Sequence, residues 1–171
     1  WQGRVPGGPS SPWGLRVALA AAVLALLVVG LGAYVRALGA SLACTDWPLC
    51  GGGLLPPSGW PFWLQWSHRV SALALGVVVV VGAIRERGRG TWWAAALLYA
   101  TQVGLGAAAI WWQLPPAVRV LHLGVAALLV AVLSAEASRA WLAAHETGLR
   151  RRESLPRGQL RHADRPGGMP A

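Results

Sequence analysis

Two histidines carry the chemistry that this chain can do: His68, in Gln65-Trp66-Ser67-His68-Arg69, and His122, in Val120-Leu121-His122-Leu123-Gly124. Both lie inside long apolar stretches. An imidazole in hydrocarbon is costly, so such a residue is a functional hypothesis whose partner must be named. Here each histidine is the natural partner of the other. Two imidazoles facing each other across a helix bundle can hold haem iron from both sides. A lone intramembrane histidine is more often an interhelical hydrogen-bonding group. Two at matched depth on separate spans favour a ligand pair. His145 and His162 fall in the polar tail and carry no such signal.

The elements that must position this pair are transmembrane helices. Of 171 residues, 55% are hydrophobic and only 12% charged, which leaves room for about four spans of roughly 20 residues each. The spans are expected at about 15–38, 62–84, 92–112 and 117–142. Without barrel-like alternation, only helices can satisfy the backbone there. The fold class is therefore an all-α membrane protein, a four-transmembrane-helix bundle. Residues 1–14 form a short segment before it. Residues 143–171 form a basic tail, disordered or lying on anionic lipid. The chain opens on Trp1, so a missing N-terminus is expected. The first apolar stretch is long and lacks a small-residue cleavage site, so it reads as a span.

All fifteen basic residues are arginine, and the net charge is +9. They cluster at span ends and in the tail: Arg4 and Arg16; Arg85, Arg87 and Arg89; Arg139, Arg150, Arg151, Arg152, Arg157, Arg161 and Arg165. That is the membrane-orientation pattern and not a nucleic-acid surface. It gives an N-in, C-in topology in a bacterial or archaeal cytoplasmic membrane. The loop from Gly39 to Pro61, which has no basic residue, then faces outward. Spans two and four both enter from outside, which puts His68 and His122 roughly 8–10 Å below the outer interface at 1.5 Å per residue.

Cys44 and Cys50, the only cysteines, lie in this outer loop. Five intervening residues with Pro48 to turn the chain make a disulfide geometrically easy on the oxidising side. It reads as a structural staple or as a redox-active pair near the haem. Two cysteines without nearby histidines supply too few ligands for zinc. Trp47, Trp60, Trp63 and Trp66 crowd the outer interface as belt residues. Arg36 and Arg69 sit on the side where few basic residues are expected. Each either snorkels to headgroups or pairs with haem propionates. Gln102, in a segment of small residues, is a possible pocket residue. No acid lies in the spans near the histidines. Glu136 is expected to pair with Arg139 one turn on.

These pieces resemble a known family. Gly32-Ala33-Tyr34-Val35-Arg36, then Leu42-Ala43-Cys44 and Asp46-Trp47-Pro48-Leu49-Cys50, resemble the first span and first outer loop of bacterial haem A synthase. Trp66-Ser67-His68-Arg69 resembles its second span. Thr101-Gln102-Val103-Gly104-Leu105-Gly106, Leu114-Pro115-Pro116 and Leu121-His122-Leu123 resemble the third and fourth. The likeness runs from about 16 to 140. It implies a membrane haem monooxygenase that oxidises the C8 methyl of haem O towards haem A, for terminal oxidase assembly, with haem b as cofactor. His68 and His122 match haem ligands of the family's first half, and the cysteines match those of its first loop. The family has two such halves. This chain matches one, which implies a half-size form working with a second copy or a companion half, or an incomplete chain. Haem O synthase and terminal oxidase assembly factors are the implied partners. Catalytic roles fall on His68, His122 and the position of Gln65. The family usually has a glutamate there. The amide can hydrogen-bond but takes up no proton. The alternative function is a bis-histidine b-type haem protein for electron transfer or haem carriage.

Overall fold

The computed structural model describes residues 12–86 and 88–153, with side chains from 13 to 150. Four helices account for almost all of them: α1 (Pro12–Ala37), α2 (Trp60–Arg85), α3 (Gly90–Trp111) and α4 (Pro116–Glu153). All four are long and apolar enough to cross a membrane, with mean hydropathy from 1.4 to 2.5 in their most apolar windows. Leu26, Leu27, Leu97 and Leu128 point away from the bundle and are more than half exposed. An apolar exterior of this extent suits lipid and not water. The expected four-helix membrane bundle is thus what the chain forms. Arg4, Arg87, Arg157, Arg161, Arg165 and His162 lie outside the described residues, as do the side chains of Arg151 and Arg152.

The helices run in a ring, α1 against α2 and α4, and α3 against α4, with α2 and α3 the least closely packed neighbours. Two aromatic side chains explain that seam. Trp92 lies where a Cβ on Gly82 would be, and Tyr99 where one on Gly76 would be. The Tyr99 hydroxyl also donates to the Ala72 carbonyl at 3.0 Å. On the other side, Ala18, Ala21, Ala22 and Ala25 let α1 approach closely and are nearly inaccessible. They pack with Leu75, Val79, Trp92, Leu129 and Leu133 into one buried cluster. This cluster occupies the end of the bundle that holds the α2–α3 loop, the start of α1 and the end of α4, here called the tail end.

At the opposite, loop end the helices stop by defined backbone chemistry. Ala40 N–H donates to the Val35 carbonyl at 2.9 Å and Gly39 N–H to that of Arg36 at 3.1 Å, with Gly39 at φ +69°. This is the paired 6→1 and 5→2 ending that glycine favours. The end of α3 repeats it, with Leu114 N–H on Ala109 and Gln113 N–H on Ile110. There the left-handed positions are held by Gln113 and Leu114, which no glycine signal announces. Pro115 and Pro116 then turn the chain into α4.

The fourth helix continues to Glu153, past the span end expected at 142. Eight of the eleven residues 143–153 are alanine, leucine, glutamate or arginine, good helix formers that outweigh Gly148, and no proline follows until Pro156. Trp141 stacks on His145 at 5.5 Å between ring centres, where the helix leaves its apolar stretch.

Candidate functional site

The first three turns of α2 hold the cysteine loop. Cys44 and Cys50 are disulfide-bonded, with Cα atoms 4.9 Å apart and both residues buried. Arg69 reaches back under the loop and donates to the carbonyls of Cys44 (2.8 Å), Asp46 (2.7 Å), Pro48 (3.2 Å) and Leu49. Gln65, only 5% exposed, uses both ends of its amide. Its Nε2 donates to the Ser41 carbonyl at 2.7 Å, and its Oε1 accepts the Cys44 N–H at 2.5 Å. Trp66 Nε1 donates to the Leu54 carbonyl at 3.0 Å. Within the loop, Asp46 accepts the Gly52 N–H at 2.7 Å. Gly51 and Gly52 adopt φ near +70°, which a side chain would strain.

Sequence reasoning gave Gln65 a chemical role and Arg69 a choice between headgroups and propionates. In the structure the polar atoms of both are directed at loop backbone. What the linear sequence hides is that the loop folds back over the helix, bringing carbonyls 20–25 residues away within reach of Arg69. The Gln65 geometry has a testable consequence. A carboxylate accepts but does not donate, so Gln65→Glu sets an oxygen against the Ser41 carbonyl. The expected cost is about 1–3 kcal/mol for the unsatisfied buried contact. Only the protonated acid can donate there, so in the variant the loop is held at low pH and loosens as pH rises. Limited proteolysis of the loop against pH reads this, and a pH-independent pattern equal to that of the parent contradicts it.

The histidines turn the other way, into the bundle. His68 lies against Gly32 of α1, where an added Cβ would come within 2.9 Å of the imidazole Cε1. His122 lies against Gly106 of α3, with the corresponding distance 3.4 Å. Each ring is thus seated on a glycine of the preceding helix. Gln102 Nε2 is 3.1 Å from His122 Nε2. His68 Nδ1, His122 Nδ1 and Gln102 Oε1 are buried and have no hydrogen-bond partner. Buried polar atoms are rarely left so, and three on neighbouring groups mark a place suited to a polar or metal-bearing guest. The buried apolar cluster does not extend to this end. Arg36 is exposed on the same end of α1, and no hydrogen bond or ion pair is described for it.

Residues 15–60, which are α1 and the cysteine loop, match the cytochrome oxidase assembly protein family COX15-CtaA. Haem A synthase of Symbiobacterium thermophilum is 48% identical over 111 residues, 60% of this chain and 34% of that protein. Haem A synthase of Rhizorhabdus wittichii is 34% identical over 140 residues, 73% of this chain and 40% of that protein. Over these stretches the chain is similar to haem A synthases. A protohaem IX farnesyltransferase of Haloarcula marismortui is also similar, 39% identical over 95 residues, 52% of this chain and 20% of that protein. The chain spans about a third to two fifths of the haem A synthases it matches.

The chain also has a polar centre at its tail end. Glu136, 3% exposed, accepts from Arg89 Nη1 and Thr91 Oγ1, each at 2.8 Å, and from Arg139 Nη1 at 3.3 Å. Arg139 is the local partner that helix spacing indicates. Arg89 and Thr91 come from the start of α3, and nothing in the linear pattern points to them.

Proposed function

We propose that this chain holds haem between His68 and His122 at the loop end of the bundle. In this reading it serves a haem A synthase-like oxidation of the C8 methyl of haem O, for terminal oxidase assembly. The observation that carries the reading is the pair of imidazoles at one end of the bundle, each seated on a glycine of the preceding helix, in a place that leaves buried polar atoms unpartnered. An imidazole pair fits a haem, whose iron takes imidazole ligands. When bound, the haem supplies the redox and oxygen chemistry, while the protein supplies orientation and electrostatics. Exposed Arg36 and Arg119 are the arginines at this end free of the loop and placed to meet a propionate, because Arg69 is engaged with the loop. The similarity to haem A synthases and to a protohaem IX farnesyltransferase supports haem as the class of molecule handled. The loop end faces outward in this proposal, with both termini cytoplasmic, following the arginine distribution. The chain works with a second copy or a companion half, near haem O synthase.

A second reading is a bis-histidine b-type haem protein for electron transfer or haem carriage, and one observation favours it. Gln65, the position where the family usually has an acid, is occupied with the loop backbone and offers no proton acceptor. One experiment separates the two readings. The chain is co-expressed with a haem O supply in a host lacking its own haem A synthase, and the pigments are extracted. Haem A or its hydroxylated precursor is the expected product. Bound haem B or haem O with no oxidised product gives the second reading, and no bound haem overturns both.

A further inference from the structure

The two histidines are held differently, and the difference concerns the nitrogen that matters. Nδ1 of an imidazole adjoins the Cβ substituent, which would strike a macrocycle. Nε2 is therefore the nitrogen that can approach haem iron. In His122 that nitrogen is already engaged, with Gln102 Nε2 3.1 Å away. In His68 no side chain takes this role. Its ring lies against Gly32 and is engaged by the backbone carbonyl of Val28 instead. His68 also rises from the turns of α2 that Gln65, Trp66 and Arg69 lash to the disulfide loop. No comparable clamp surrounds His122. Its neighbours Leu121 and Leu123 are more than half exposed, and its glycine seat is looser by half an ångström.

We infer that Gln102 is a receiver for His122. With haem bound, the Gln102 amide would compete with the iron for the Nε2 lone pair of His122, while no side chain would compete for that of His68. The competition would set an iron–nitrogen bond against an N–H···N hydrogen bond, with no electron or proton transferred. Gln102 is thus a positioning residue that acts through His122. This inference rests on the bis-histidine reading above and deepens it. It would make the α3–α4 side the one at which a bound haem admits a small ligand.

The test is carbon monoxide binding to the reduced, haem-loaded full chain in detergent, followed by stopped-flow absorbance. Association requires His122 to be off the iron. Gln102→Leu removes the receiver and is expected to slow association about fivefold, the population lost with one net hydrogen bond. Gln102→Met, of similar volume, serves where the leucine variant folds poorly. Gln102→Glu in the protonated range keeps a donor and is expected to restore the parent rate. An unchanged or faster rate in both apolar variants, with a normal bis-histidine spectrum, overturns the receiver role and leaves haem binding intact. A parent chain that retains no haem overturns the bis-histidine reading and this inference with it.

Discussion

Replacing either His68 or His122 with alanine is expected to strip the purified chain of haem. In the proposed reading each imidazole would supply one of two bonds to the iron, and among the described residues the main buried apolar cluster lies at the other end. The loss should be specific. Both residues lie outside the packed cluster built from Ala21, Leu75, Val79, Trp92 and Leu133, so the variants should keep their helical content. Haem-to-protein ratio from absorbance, together with circular dichroism, checks both halves of this expectation. An unaltered haem spectrum in either variant would rule that histidine out as a ligand. A collapse of helix content would show that the residue serves the fold instead.

The largest stability effect is expected at the opposite end. Arg89→Ala removes the closest charged partner of Glu136, whose side chain is only 4% exposed. Breaking a buried ion pair from one side leaves an uncompensated charge and typically costs about 3–5 kcal/mol. Arg139 remains 3.3 Å away, but its side chain is 57% exposed, so it screens weakly and places the effect at the lower end of that range. Replacing both partners, as Arg89→Leu with Glu136→Gln, should recover most of the loss, because no buried charge is then left alone. A double-mutant cycle of thermal unfolding in detergent measures the coupling. Additive losses would mean that the two residues act independently. The pair closes the α2–α3 loop onto α4, next to the buried cluster, so its loss should loosen that cluster as well.

Four apolar stretches determined four membrane helices, because hydropathy is a property of some twenty residues and survives any local detail. Antiparallel passage through the bundle then brought His68 and His122 to one end. The cysteine spacing likewise needed little beyond chain geometry to give the disulfide. Polar side chains were another matter. Gln65 and Arg69 face the loop, Gln102 faces His122, and Glu136 gathers Arg89 and Thr91 from 45 to 47 residues away. The cytochrome oxidase assembly family model matches residues 15–60, which end before either histidine. Which partner a polar group meets depends on how each helix is rotated and where a loop folds back. Glycine seats at Gly32 and Gly106, aromatic spacers at Tyr99 and Trp92, and the path of the disulfide loop set those rotations together. No single stretch of sequence contains that information, so only the packed bundle decided it.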